Sequence, residues 1–320
     1  MVVWDFIDGL NKNQIMSFNP MWALALEAAS QSQATPNQSG YHVNTGGATR
    51  NGKIVSGANH EMAITDTITH GEEAVIANAL GQYGKDDPLQ VIVFTGLGGG
   101  GEIPSPCGNC RDAIKEYTDL DNLVIINAPR SGGSAVVVPG RAFFRDTFNE
   151  VTGDEKKEVL SSAELSEALK AERNAYDIYL SESSPRIYGS AIKCFNRAVF
   201  RGSFRGNVAY HPDLPISAAI ANFRDGSNDP TRINVQSITV AATAIVPDVP
   251  YKDRQDALEF AEAIQSLNRR SGQALPVYLI DAGNNRVFRT DTIEWLPFGF
   301  SPKHLGLENA IAEGYKKLIQ

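Results

Sequence analysis

Two short stretches of this chain carry side chains that could hold a metal ion and use it. His70-Gly71-Glu72 offers an imidazole and a carboxylate two positions apart, and Pro106-Cys107-Gly108-Asn109-Cys110 offers two thiols. One imidazole and two thiolates supply three of the four donors of a tetrahedral zinc site, leaving the fourth position for water. A water held there can lose its proton at about pH 7. Glu72 need not be a ligand, because from two residues past His70 it can stand over that water and move protons. Both stretches sit at the starts of predicted helices, whose N-terminal partial positive charge favours thiolate over thiol. Arg111, next to Cys110, adds a cation there. A lone C-x-x-C also suits a thioredoxin-like redox pair or half of a structural zinc site. A structural site wants a fourth Cys or His at tidy spacing, and a redox pair has no use for His70-Gly71-Glu72 on a separate helix start. His42, His60, His211 and His304 are assigned no role.

The elements around these residues follow from pattern. An amphipathic helix is predicted over 19–33, followed by the polar loop TPNQSG. Residues 41–58 alternate around Asn51-Gly52, the signature of a strand, a tight turn and a second strand. A helix over 70–80, a buried strand over 90–95, a helix over 108–117 and a strand over 122–127 complete the first half. Helix, hairpin, helix, strand, helix, strand implies helices layered on a mixed sheet, an α/β fold. Between 150 and 185 the chain is charged and Ser-rich with partly helical spacing. The same order then returns: strands over 187–203, a helix over 214–223, a strand over 235–246, a helix over 253–270, and strands over 275–281 and 285–289. A shift of 145 lays Ile54, Val55 and Gly57 over Val199, Phe200 and Gly202. We read this as two copies of one fold: a catalytic domain over 1–150, a helical connector over 151–185 and a second copy over 186–320.

Composition narrows the function class. With 42% apolar and 21% charged residues in 320, the chain is expected to form about two folded domains. The formal net charge of −8 opposes binding to a phosphate backbone, so no nucleic-acid partner is expected. No apolar run approaches the roughly 20 residues that span a bilayer, and the N-terminus lacks a basic signal-peptide region, so a cytoplasmic protein without a membrane role is expected. Three cysteines are too few for a disulfide-stapled scaffold. The run Gly96-Leu97-Gly98-Gly99-Gly100-Gly101 matches G-x-G-x-x-G. A dinucleotide site needs a helix directly after it, and here Pro104-Ser105-Pro106 follows, so a loop or flap beside the site fits better.

The order H-x-E…P-C-x-x-C is the signature of zinc deaminases. Around it the chain resembles the cytidine deaminase family, whose pattern is an aromatic-x-Val segment, then Gly-x-Asn-x-Glu, then His/Cys-Ala-Glu. Here these are Tyr41-His42-Val43, Gly57-Ala58-Asn59-His60-Glu61 and His70-Gly71-Glu72. The family's spacing of 18 from aromatic to Asn and nine from Glu to metal ligand is met between Tyr41 and Asn59 and between Glu61 and His70. The resemblance implies the three-layer α/β/α fold with a mixed sheet, Zn²⁺ on His70, Cys107 and Cys110, and Glu72 as the catalytic proton carrier. It implies that Asn59 and Glu61 bind the ribose 3′-hydroxyl, a group absent inside a nucleic-acid chain, so the expected substrate is a free nucleoside. Tyr41 would pack on the sugar or base, and the Gly71 backbone would meet the base. Four positions depart from the family: Tyr41 replaces Phe, Asn44 and Thr45 replace Gly and Ala, and Gly71 replaces Ala.

The implied reaction converts cytidine or deoxycytidine to uridine or deoxyuridine plus ammonia. Deamination of another nucleoside, such as a modified cytidine or an aminonucleoside antibiotic, is the enzyme alternative, and a zinc-stabilised binding protein is the non-enzyme alternative. In the second copy, a uniform shift of 145 puts Pro215 and Ser217 at His70 and Glu72, and Phe204 and Gly206 at Asn59 and Glu61. That copy has no zinc ligands, and the arrangement resembles two-domain cytidine deaminases with one degenerate copy. Such chains are expected to pair as homodimers, with Phe298 and Phe300 as candidates to reach the site region.

Overall fold

A computed structural model of the chain describes residues 7–10, 19–37, 39–62, 68–96, 105–128, 135–144, 149–175, 187–206, 212–226, 234–243, 248–267, 274–297 and 299–300. The chain divides into two compact units. One comprises Met1–Arg145 with Pro297–Gly306, the other Asp146–Leu296 with Leu307–Gln320.

In the first unit β1 (Ile7–Leu10), β2 (Val43–Thr49), β3 (Ile54–Ala58), β4 (Leu89–Gly96), β5 (Val124–Asn127) and β6 (Ala135–Pro139) form one sheet in the order β1-β6-β5-β4-β2-β3. Only β4 and β5 run parallel among these neighbours, so the sheet is mixed as expected. The β2–β3 hairpin turns at Asn51-Gly52, where Gly52 adopts φ 76, a conformation glycine reaches without steric cost. Asp87 holds this turn by accepting from the Thr49 hydroxyl and the Asn51 N–H.

Helix α1 (Pro20–Gln31) starts on an Asn19 side chain that accepts from the Met21 N–H, with Pro20 in the first turn. It covers one face of the hairpin at Gly46, where a Cβ would lie 1.9 Å from the Ala25 carbonyl oxygen. Helices α2 (Gly71–Tyr83) and α3 (Gly108–Tyr117) pack against each other, with α2 on the opposite face of the hairpin. A Cβ at Gly57 would lie 2.5 Å from the Val75 nitrogen and 2.8 Å from the Gly71 carbonyl. That close approach places the start of α2 over the end of β3. A short helix, α4 (Gly140–Phe143), follows β6. The three layers meet the expectation of an α/β/α fold.

The second unit repeats the plan. Strands β7 (Asn149–Glu150), β8 (Gly189–Cys194), β9 (Val199–Ser203), β10 (Val235–Ala242), β11 (Pro276–Asp281) and β12 (Arg286–Asp291) lie in the order β7-β12-β11-β10-β8-β9. Again one pair, β10 with β11, is parallel. The stretch 151–185, expected as a connector, supplies α5 (Asp154–Leu160) and α6 (Ala163–Arg173). Helix α6 packs on β8, β9 and β10, and a Cβ at Gly189 would lie 2.0 Å from the Ala168 carbonyl oxygen. It therefore does for this sheet what α1 does for the first. Helices α7 (Pro215–Gly226) and α8 (Tyr251–Leu267) stand where α2 and α3 stand, with α9 (Thr292–Trp295) after β12. Among the described residues no helix is long and apolar enough to cross a membrane.

Candidate metal centre and its surroundings

The first unit brings His70, Cys107 and Cys110 together. His70 is the residue before α2 and Cys107 the residue before α3, so each helix start delivers a donor, and Cys110 sits one turn into α3. His70 Nδ1 lies 3.1 Å from Cys107 Sγ and 3.3 Å from Cys110 Sγ, and the two sulfurs are 3.6 Å apart. Donors about 2.0–2.3 Å from a common tetrahedral ion stand about 3.5–3.8 Å from each other. The trio therefore fits zinc after a small expansion. Its protonation tells the same story. Its hydrogen bond with Cys110 and the neighbouring imidazole hold the Cys107 thiol well below its ordinary value. Burial, with the negative charge on Cys107, pushes the Cys110 thiol up. For His70 burial works downward, but the bond to Cys107 and the surrounding negative charge overcome it and raise the imidazole to about 10. Protons thus hold the cluster together where a dication would replace them.

Glu72 is 5% exposed and lies against this cluster. Burial, helped by the Cys107 charge, pushes its carboxyl up to about 7. The neighbouring Glu73 is not an alternative to it, because its carboxylate turns back to accept from the His70 N–H at 3.0 Å and caps the helix. Arg111, expected as a cation beside the thiolates, is fully buried. Its Nε donates to the Pro106 carbonyl and its Nη1 to the Phe143 carbonyl, which fixes the residue before Cys107.

The substrate-binding residues expected from sequence lie on one continuous edge. Asn59 Oδ1 accepts from the Val43 N–H and its amide donates to the Tyr41 carbonyl. Glu61 is 7% exposed, and its carboxylate accepts from the N–H and the hydroxyl of Ser39. Tyr41 packs edge-on to Phe300, with ring centroids 6.2 Å apart. Its hydroxyl is buried and has no hydrogen-bond partner among the described residues. Burial, and then the Glu72 charge, pushes that phenol up to about 12. Gly71 lies against Thr45, where a Cβ would come within 2.3 Å of Thr45 Oγ1. The larger residue at 45 and the smaller one at 71 are thus reciprocal changes. The glycine run beyond Gly96 and Phe298 fall outside the described residues. Ser39 is a participant that sequence reading missed; its only signal is its place just before Gly40-Tyr41 in a polar loop.

In the second unit the same close approach, Gly202 against the Pro215 carbonyl at 2.0 Å, sets the register. Pro215 therefore stands at Gly71, and the residues at the places of His70 and Glu72 are Leu214 and Ile216. The bridge Arg205–Asp213, matching His60–Thr69, gives the same register. This corrects the uniform shift of 145, which named Pro215 and Ser217; one residue fewer separates hairpin and helix here. Arg254 Nε donates to the carbonyl five residues back, at Val249, as Arg111 does to Pro106. Asp253 then stands at the place of Cys110.

Residues 19–126 match the model for the cytidine and deoxycytidylate deaminase zinc-binding region. The chain is similar to the cytidine deaminase of Pasteurella multocida, 25% identical over 230 residues, covering 68% of this chain and 71% of that protein. It is similar to the cytidine deaminase of Histophilus somni, 22% identical over 256 residues, 71% of this chain and 78% of the relative. For the Vibrio cholerae enzyme the match is 25% over 177 residues, 51% of this chain and 54% of that one. Among solved structures, the cytidine deaminase from Burkholderia pseudomallei aligns with a TM-score of 0.32 at 24% identity, over 38% of this chain and 90% of its own.

Proposed function

We propose, from the match of residues 19–126 to the model for the cytidine and deoxycytidylate deaminase zinc-binding region, that the chain hydrolyses cytidine or deoxycytidine to the uridine product and ammonia. The observation that carries this reading is the convergence of His70, Cys107 and Cys110 beside the buried carboxyl of Glu72.

The bound metal would supply Lewis acidity that makes a water ionise near neutral pH. The protein's own groups do the rest. Glu72, a buried carboxyl beside the cluster, can take a proton and give it back. It would accept a proton as the water oxygen adds to C4 of the cytosine ring, deliver it to N3, and then carry the remaining proton of the new C4 hydroxyl to the departing amine, leaving the C4 carbonyl. One water is consumed, the C4–N bond breaks and ammonia leaves. Asn59 and Glu61 would bind the sugar 3′-hydroxyl, the amide donating and the carboxylate accepting. Tyr41 would pack against the nucleoside. The backbone at Gly71, brought against Thr45, would face the base. A 3′-phosphate has no hydroxyl to offer and would leave these groups poorly paired.

One observation favours a second reading. The Tyr41 hydroxyl, buried without a partner among the described residues, would suit a nucleoside that brings its own polar group there, such as a modified cytidine. We also propose that the protein works in the cytoplasm, in pyrimidine salvage, as a homodimer; sedimentation of the zinc-loaded protein gives the mass directly. The activity test is ammonia release from a panel of cytidine, deoxycytidine, a ring-modified cytidine and 3′-phosphorylated cytidine. We expect turnover of a free nucleoside and little turnover of the 3′-phosphate. Silence across the panel, or equal rates on the 3′-phosphate, would overturn the proposal.

A further inference from the structure

The edge that carries Asn59 and Glu61 is stitched to the preceding loop residue by residue. Thr35 donates its N–H to the Asn59 carbonyl and accepts from the Glu61 N–H, and the Asn37 amide donates to the Glu61 carbonyl. Ser39 then does three things. Its N–H donates to Glu61 Oε2 at 2.8 Å, its hydroxyl donates to Glu61 Oε1, and the same hydroxyl oxygen accepts from the Tyr41 N–H at 2.9 Å. Gly40, at φ 67, makes the turn that lets residues 39 and 41 meet at one oxygen. The stitching continues where the Asn59 amide bonds the Tyr41 carbonyl at 2.8 Å.

The energetics are uneven along this seam. Glu61 is a buried carboxylate, which is costly unless donors surround it. Ser39 itself is exposed and packs little. An exposed residue that grips both oxygens of a buried carboxylate contributes orientation more than packing. A carboxylate offers about four acceptor sites, and Ser39 occupies one on each oxygen. These two bonds fix the plane of the carboxylate, and with it the direction from which a further hydroxyl can approach.

We infer that Ser39 is a positioning residue for sugar recognition: it holds the Glu61 carboxylate and the Tyr41 backbone in one rigid frame, so that selectivity for a nucleoside with a free 3′-hydroxyl depends on a side chain that never touches the nucleoside. This rests on the deaminase reading above. It differs from a loop merely closed for stability, because it ties Ser39 to one substrate group.

The experiment compares cytidine with 3′-deoxycytidine as substrates of the zinc-loaded full chain and its Ser39→Ala and Ser39→Thr variants. The wild type should prefer cytidine in kcat/KM. In Ser39→Ala the KM for cytidine should rise about tenfold, the size of a lost hydrogen bond to a charged group, with kcat moving less than about threefold. The preference for cytidine over 3′-deoxycytidine should shrink by a similar factor. Ser39→Thr keeps the hydroxyl and should restore most of both. A wild type with no preference would overturn the sugar reading and this inference together. A wild-type preference that survives Ser39→Ala would overturn this inference alone. So would a lower KM in Ser39→Ala, which would mark the hydroxyl as a competitor of the substrate. Zinc content and melting temperature of each variant show whether it has folded; should Ser39→Ala not fold, Ser39→Gly takes its place.

Discussion

The two units share a sheet order, the glycines that let helices approach, and a buried arginine that ties down the loop before the second packed helix, yet they join their helix starts by different means. In the first unit an imidazole from the start of α2 meets two sulfurs from the start of α3. In the second, Asp253 stands at the place of Cys110 and reaches across to α7. Its carboxylate accepts from the backbone N–H of Ile216 and of Ser217, each at 3.0 Å, and from the hydroxyls of Tyr188 and Ser217. The first unit joins its helix starts through donors that suit a metal, the second through a carboxylate that accepts from helix-start N–H groups. The fold and the chemistry are therefore separable: the architecture asks for a cross-link between two helix starts, and only one version of that link offers a coordination site.

The largest effect that would sharpen this contrast is catalytic. Glu72→Gln keeps shape and volume but cannot carry a proton, so kcat should fall by about 10²–10⁴-fold while zinc stays bound. The matching change in the second unit, Ile216→Val, should leave the reaction untouched. A catalytic loss from the second-unit change, measured by ammonia release, would break the comparison.

Metal removal comes next. A ligand present at a thousand times its dissociation constant stabilises by about 4 kcal/mol. Chelation should therefore lower protection of α2 and α3 in hydrogen exchange and leave α7 and α8 as they were. Equal loss in both units would show that the carboxylate link does not stand alone.

The carboxylate link itself comes third. Asp253→Ala leaves two backbone N–H groups and the Tyr188 hydroxyl without their partner and should cost about 3 kcal/mol. Its pH dependence has a definite sign. Burial, with the charge of Asp256, pushes Asp253 up to about 6 from an ordinary value of 3.8. The native state therefore holds the proton more tightly than the unfolded chain. The stability from this group is fully present below about pH 4 and lost as pH rises through 6, about 3 kcal/mol in all at about 1.4 kcal/mol per pH unit. Urea unfolding at pH 4 and pH 7 should show that fall in the wild type relative to Asp253→Asn, whose amide does not titrate.

The smallest effect concerns Glu73. Its role is the helix cap on His70, so Glu73→Gln should cost about 1 kcal/mol or less and spare kcat, as thermal melts and activity assays will report.

Much of this was legible in the residues. Asn51-Gly52 marked the hairpin, and the apolar run at 90–95 marked the central strand, observed as Leu89–Gly96. The placement of His70 and of Cys107 at helix starts followed from the patterns after them. What escaped depended on partners distant in sequence. Strand β1 is four residues, Ile7–Leu10, whose ladder among the described residues is with β6, and nothing local announces it. Helix α6 read as a connector because its role lies in what it covers at Gly189. The repeat was visible, but one missing residue between hairpin and helix moved Leu214 and Ile216 out of the register that a fixed shift assigns. Reciprocal changes at Thr45 and Gly71 looked like two unrelated departures until their contact joined them. Ser39 carried no signal beyond its loop, because its meaning lies in a carboxylate 22 positions away.

The claim on which the rest depends is that one unit of the chain holds a metal and the other does not. Zinc content per chain, measured for the wild type, the Cys107→Ala, Cys110→Ala double variant and Asp253→Asn, tests it most directly. We predict about one zinc in the wild type and in Asp253→Asn, and none in the double variant. Zinc retained after both cysteines are gone, or lost with Asp253, would contradict it.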